Sequence, residues 1–208
     1  MRDRQHVRRG YDELAGTYAE KRTADDRELT VLDQFLDDST PERVLDAGCG
    51  PGTPILRQLS EETTASAVGL DLSRELLRIA ADAVSAAPLV HGDMTHLPFQ
   101  DGAFDVVLAF DSVIHVPLGD HQTVIDEFAR VLHPGGRILL SEAPEAFERS
   151  KADWLGGGVE MAWHMAGAET TREQFRAAGF RVTDEWEAPA VEPGENPKPP
   201  FFAARLEG

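Results

Sequence analysis

The sequence predicts an α/β domain: a mostly parallel sheet with helices on both faces, finished by an antiparallel pair and covered at its N-terminus by helices. Three observations predict it. From residue 43 onward short β-rich runs alternate with helical stretches, the order that a parallel sheet with crossover helices produces. A glycine-rich turn, GCGPG at 48–52, separates the first of these runs from the first helix. Two late β-rich runs follow one another with no helix between them.

Residues 1–40 are read as a helical cap, because YDELAGTYAEKR at 11–22 and DDRELTVLDQFLDD at 25–38 space their apolar residues three and four apart. Residues 41–141 form the binding core, with strands expected near 43–46, 67–71, 89–91, 106–110 and 137–140. Helices are expected over 54–62, 73–84 and 121–132, the last stopped by His133, Pro134, Gly135 and Gly136. In the third part, 142–208, DWLGGGVEMAWHM at 153–165 breaks the alternation, and its three consecutive glycines predict a mobile loop on the substrate side. A helix over 171–178 follows. FRVTDEWE at 180–187 and FFAARLE at 201–207 then flank a spacer carrying Pro189, Pro193, Pro197, Pro199 and Pro200, as a long-looped antiparallel pair would. That makes seven strands. No internal repeat is visible, and 208 residues suit one domain, 1–208, with a full core.

With 37 acidic and 20 basic residues, the net charge of -17 repels phosphate backbones and argues against nucleic acid as a partner. Arg2, Arg4, Arg8 and Arg9 form the one dense basic cluster and read as a solvated terminal face. Only Lys21, Lys151 and Lys198 are lysines, which together with the acidic excess suggests a salt-adapted proteome. Apolar runs such as VVLAF at 106–110 are too short to cross a bilayer, and MRDRQHVRRG lacks the apolar stretch of a signal peptide, so a soluble cytoplasmic protein without membrane contact is expected. Cys49 is alone and no Cys/His cluster has zinc spacing, so neither a disulfide nor a metal is expected.

The chemistry concentrates in VLDAGCGPGT at 44–53, where a buried-looking strand runs into glycines at 48, 50 and 52 before a helix. Glycine there allows open backbone angles and close ligand approach; a tight turn with no ligand is the competing reading. The spacing is not the G-x-G-x-x-G of dinucleotide binding, because Thr53 stands where the last glycine would be. Asp71 ends the second strand in VGLDLS and Asp93 ends the third in HGDM. In an open parallel sheet ligands bind at the carboxyl edge where strand order switches, so Asp46, Asp71 and Asp93 are expected to share one crevice.

These motifs resemble those of the class I, Rossmann-like S-adenosylmethionine-dependent methyltransferases, in the branch of small-molecule and quinone-type enzymes. The resemblance covers about residues 11–207 and extends to FDVVLA at 104–109, RVLHPGGRILL at 130–140 and AGF at 178–180. It implies S-adenosyl-L-methionine as cofactor and a sheet closed by FFAARLE, inserted antiparallel beside the fifth and sixth strands. It implies further that the Gly48 to Gly52 backbone lies against the methionine part and that Asp46 orients this loop, with Cys49, Gly50 and Thr53 in the same wall. Asp71 would accept the ribose hydroxyls, and Asp93 the adenine amino group beside the Met94 amide. Leu72, Gly92 and Phe110 complete the expected cofactor-binding set, and Tyr11 and Tyr18 would cover the cofactor. The seven-residue spacing of the two tyrosines also marks one buried helix face. In one respect the chain departs from its relatives, which often carry Trp-Ser-His where Trp163 is followed by His164 and Met165.

The expected reaction is direct in-line transfer of the methyl group to a small-molecule acceptor. Positioning can supply about 7–11 kcal/mol of the barrier, and a base adds about 10²- to 10⁴-fold only when the acceptor must lose a proton. His115, in FDSVIHVP at 110–117, is the candidate base, expected to titrate near the ordinary value of about 6.5 with Asp111 one turn earlier as its partner. A histidine that only orients the loop backbone is the alternative. Cys49 reads as a small residue in a tight turn, and His91, His96, His121 and His133 as structural or exposed. Two rival functions share these motifs: a nicotinamide-dependent oxidoreductase, against which the glycine spacing and Asp93 speak, and a non-catalytic cofactor-binding subunit. The acceptor and the oligomeric state stay open, since the substrate wall comes from the N-terminal helices and residues 142–168.

Overall fold

The structure is a computed structural model and describes residues 4–22, 26–37, 39–187 and 199–208. Helices α1 (Arg4–Lys21) and α2 (Asp26–Leu36) precede β1 (Arg43–Ala47), α3 (Ile55–Glu62), β2 (Ser66–Asp71), α4 (Arg74–Ala83), β3 (Leu89–His91) and β4 (Phe104–Ala109). Two short 3₁₀ turns, Val113–His115 and Leu118–Asp120, lead into α5 (His121–Val131) and β5 (Leu132–Ser141). The chain continues through β6 (Phe147–Trp154), β7 (Val159–Met165), α6 (Ala168–Ala177), β8 (Phe180–Trp186) and β9 (Phe201–Leu206).

Seven strands form one sheet in the order β3-β2-β1-β4-β5-β9-β8. The five from β3 to β5 are parallel, whereas β9 runs antiparallel between β5 and β8, the expected arrangement. Both faces are covered, so the central strands are apolar on both sides and their residues divide by parity. Leu45, Val107 and Ile138 pack with Val124, Ile125 and Phe128 of α5 and Phe175 of α6. Their neighbours Val44, Val106, Leu108 and Leu139 face the other way, against Leu32 and Phe35 of α2 and Leu56 and Leu59 of α3. The direction of winding reverses between β1 and β4, which opens a crevice at their carboxyl ends.

Three expectations are corrected. The glycine-rich segment is not a mobile loop but the turn of an antiparallel hairpin, in which Phe147 pairs with Met165 and Trp154 with Val159. Leu155, Gly156 and Gly158 take positive φ in this turn, and a Cβ on Gly157 would lie 2.1 Å from Leu14 Cδ2, so the turn seats directly on α1. Its first strand is solvent-facing along nearly its whole length, so the sequence carries no alternation to mark it. Helix α5 ends at Val131, before the His133 to Gly136 run as expected, but the fifth strand starts earlier than expected, at Leu132, and its pairing with β4 shifts register past this run. Helix α1 starts at Arg4, well before residue 11. The remaining helices agree within a few residues. Of the spacer prolines, Pro189, Pro193 and Pro197 lie outside the described residues, as do Arg2 and Lys198. Among the described residues no helix is long and apolar enough to cross a membrane.

Phe128 is fully buried between the sheet and α5. Phe128→Ala is expected to cost about 3–5 kcal/mol in chemical denaturation. A loss below about 1 kcal/mol would contradict its central place in this core.

Candidate functional site

The crevice is a cleft walled by the turns that follow β1, β2, β3 and β4 and covered by α1. Its floor is the glycine turn. Gly48, Gly50 and Gly52 have φ of +88°, +56° and +81°, angles that a side chain would strain. A Cβ on Gly48 would fall 2.3 Å from Ser112 Cβ, so glycine also lets the turn pack against the segment after β4. The turn is tied down on two sides. Leu70 O accepts the N–H groups of Gly48 (2.7 Å) and Cys49 (3.0 Å), while Asp71 Oδ2 accepts that of Gly50 (2.9 Å). On the other side Ser112 Oγ donates to Ala47 O at 2.7 Å.

Of the residues singled out by sequence, Tyr11, Tyr18, Asp46, Gly48, Cys49, Gly50, Thr53, Asp71, Leu72, Gly92, Asp93, Met94, Phe110, Asp111 and His115 all line this cleft. Gly52 does not. A Cβ there would meet Val84 and Ala80, so glycine at this position lets the turn pack under α4.

The carboxylates differ in their surroundings. Asp46 is buried, and loss of water followed by repulsion from Asp71 pushes its carboxyl up to about 7, against the pull of the Arg22 guanidinium. Asp71 is raised to about 6 by burial, and backbone N–H groups limit the rise, Ser73 donating to Oδ1 at 2.7 Å and Gly50 to Oδ2. Asp93 sits nearer solvent at the far end, where its Oδ1 accepts from the amide (2.9 Å) and hydroxyl (2.8 Å) of Thr95.

Asp93 also pairs with Arg4 at 3.1 Å, and the same guanidinium donates to the Thr95 hydroxyl. This overturns the solvated reading of the N-terminal basic cluster for Arg4 and for Arg8, which lines the cleft and pairs with Asp12 at 2.9 Å. Asp12 in turn accepts the Ser73 hydroxyl at 2.7 Å, and Ser73 caps α4 by accepting the Leu76 N–H. A polar chain thus clamps α1 across the cleft. Sequence reasoning missed Arg4, Arg8, Asp12, Arg22 and Ser112. The one available signal was Arg22, a helical turn past Tyr18 on the same face; it is held by both Glu28 oxygens at 3.1 and 2.9 Å.

Where α1 covers the cleft near the segment after β4, the walls are aromatic. Tyr11 meets Tyr18, Trp154 and His115 edge-on, at ring separations of 5.1, 5.2 and 5.3 Å. His115 is half-buried with both nitrogens engaged, Nε2 with the Tyr11 hydroxyl at 2.8 Å and Nδ1 with Ala162 O at 3.0 Å. Burial lowers its pKa to about 4, which corrects the expectation of an ordinary imidazole. The expected Asp111 partner is also corrected. Asp111 adopts φ +49° and turns to β5, where its N–H donates to Ser141 Oγ (2.7 Å) and its carboxylate accepts that hydroxyl (2.9 Å).

Trp163 lies beside His115, while His164 points to the other face of the hairpin and meets Glu148 Oε2 at 2.8 Å. His121 is buried against Val116 O, His91 is exposed beside Leu72 O, and His133 pairs with Asp105, as structural or exposed side chains do. The Cys49 thiol is pushed well above its ordinary value by burial, consistent with packing rather than nucleophilic use.

Asp46 gives this site a measurable pH signature. Its folded pKa of about 7 exceeds the unfolded value of about 3.9, so ionisation disfavours the fold progressively as pH rises through that interval. Asp46→Asn is therefore expected to raise the melting temperature of the ligand-free protein more at about pH 8 than at about pH 5. Equal changes at both would show that Asp46 is not held up by burial.

Comparison with known proteins converges on one family. The methyltransferase domain family matches residues 45–140, the glycine turn through β5. The chain is 31% identical over 168 residues to the 27-O-demethylrifamycin SV methyltransferase of Amycolatopsis mediterranei, covering 76% of this chain and 55% of that one. It is 31% identical over 196 residues to a methyltransferase-family protein of Encephalitozoon cuniculi, covering 86% of this chain and 88% of that one. Among solved structures, an S-adenosylmethionine-dependent methyltransferase of Methanosarcina mazei superposes with a TM-score of 0.71 at 20% identity, over 85% of this chain and 97% of that one, which shows the shared fold. The chain spans about half the length of the first curated relatives it matches. With the glycine turn, the strand-end acids and the inserted β9 all in place, the chain belongs to the class I S-adenosylmethionine-dependent methyltransferases.

Proposed function

We propose that the chain transfers the methyl group of S-adenosyl-L-methionine to a small-molecule acceptor. The observation that carries this reading is the gathering of Asp46, Asp71 and Asp93 around one glycine turn in one cleft. The sulfonium of the cofactor supplies an already activated methyl group. The protein's own task is then to bind, orient and exclude water. In this reading Asp46 faces the ammonium of the methionine part and Arg22 its carboxylate. Each oxygen of Asp71 already holds one backbone N–H and keeps acceptor capacity for a ribose hydroxyl. Asp93 accepts the adenine amino group, with Leu72 and Met94 against the ring. The clamp of α1 through Asp12 and Ser73 supports the exclusion of water.

A small acceptor accords with the net charge of -17, which disfavours a polyanion, and with the rifamycin substrate named for one relative. A cytoplasmic location rests on the single cysteine and the sequence composition. Titration with S-adenosylhomocysteine and separately with a nicotinamide dinucleotide distinguishes this function from an oxidoreductase. A methyl-transfer screen over phenols, amines, thiols and quinols, read by formation of S-adenosylhomocysteine, distinguishes it from a non-catalytic subunit. Binding without turnover of any acceptor class, together with a stable partner recovered from native cells, would favour the subunit.

Asp71→Ala is expected to weaken S-adenosylhomocysteine binding at least about tenfold, since a hydrogen bond to a charged group is worth about 1.5–3 kcal/mol. Unchanged affinity by calorimetry would remove Asp71 from the ribose.

A further inference from the structure

The hydrogen bonds around His115 fix the direction of a proton path. Ala162 O can only accept, so Nδ1 of the neutral imidazole carries the hydrogen and Nε2 is left as an acceptor. The Tyr11 hydroxyl therefore donates to Nε2 across 2.8 Å and its oxygen keeps acceptor capacity, and Tyr11 is one of the residues that line the cleft. Because both imidazole nitrogens are engaged, a proton released in the cleft reaches His115 through Tyr11. The pair is held stiffly: Trp154 packs on Tyr11, Trp163 on His115, and the two indoles touch each other at 6.2 Å.

We propose that Tyr11 and His115 form a proton relay for an acceptor that methylates on a hydroxyl, and that this acceptor is a phenol or a similarly planar enol. Tyr11 touches the acceptor, and His115 acts behind it as the proton terminus. In the step, the acceptor oxygen forms a bond to the methyl carbon while the carbon–sulfur electron pair returns to sulfur. The acceptor hydroxyl proton passes to Tyr11 Oη as the Tyr11 proton passes to His115 Nε2. The reacting groups carry one positive charge before the step, on sulfur, and one after it, on the imidazole. This exchange makes a weakly basic histidine workable, because the imidazolium forms only as the neighbouring cation disappears. Asp111 favours the imidazolium and His164 opposes it. A neutral amine would need no such relay, since its product keeps the charge. The edge-on aromatic wall of Tyr11 and Tyr18 suits a flat ring.

The proposal rests on methyl transfer from S-adenosylmethionine, and the test separates the two. Nitrogen NMR of histidine-labelled protein is expected to show His115 as the Nδ1–H tautomer, with an Nε2 shift that moves in Tyr11→Phe; an Nε2–H tautomer would overturn the relay. A series of para-substituted phenols of graded acidity, with matched anilines, is then assayed by S-adenosylhomocysteine formation. Phenols are expected to be turned over in preference to anilines. Tyr11→Phe keeps the covering ring, and it is expected to slow the least acidic phenols by about 10²- to 10⁴-fold and those that arrive ionised far less. His115→Gln should show the same dependence on acidity. Preference for anilines, turnover of neither series, or a loss in Tyr11→Phe independent of phenol acidity would overturn the proposal. If wild-type protein fails to bind S-adenosylhomocysteine in calorimetry, the cofactor reading fails instead.

Discussion

The acceptance of the Gly50 N–H by the buried Asp71 carboxylate is the contact on which the site depends. It joins the turn after β1 to the end of β2, and the same carboxylate holds Ser73, which starts α4 and grips α1 through Asp12. A charged group placed there is costly unless hydrogen-bonded, and the two backbone donors reduce that cost without removing it. The result is an acid at the centre of the cleft whose geometry is set by the main chain rather than by mobile side chains. Preorganisation of this kind lets a site bind without first rearranging.

Most of this framework was legible in the sequence because it obeys local rules. The glycines at 48 and 50 need positive φ, and Gly48 also close approach to Ser112, which no other residue type allows cheaply. Asp46, Asp71 and Asp93 each follow a short apolar run, so the parallel sheet brings them to one edge. What stayed hidden depends on contacts distant in sequence. Arg4 reaches Asp93 and Thr95, and nothing in MRDRQHVRRG distinguishes that arginine from its exposed neighbour Arg9. Ser112 and Gly48 define each other by packing, so neither alone announces the contact. The β6 strand escaped because its residues are almost all exposed.

His115 and Asp111 illustrate how spacing misleads where backbone geometry intervenes. Four residues apart, they would share a face on an α-helix. Here the intervening chain begins at a left-handed Asp111 and continues in a 3₁₀ turn, which sends the carboxylate to Ser141 and the imidazole to Tyr11. The pairing that matters is therefore between α1 and the segment after β4, separated by about half the chain. Long-range pairings of this kind are also where pKa values depart from their ordinary range, because burial is a property of the assembled fold.

The hairpin of β6 and β7 belongs to neither the main sheet nor its helical layers, yet it supplies Ala162, Trp154 and Trp163 to the surroundings of Tyr11 and His115. Its outer strand faces solvent, and the Gly157 turn rests on Leu14 of the first helix. Such an appendage can change its sequence with little consequence for the seven-stranded core. Divergence or laboratory exchange of this one module would reshape the surroundings of Tyr11 and His115 while the glycine turn and its strand-end acids are inherited intact.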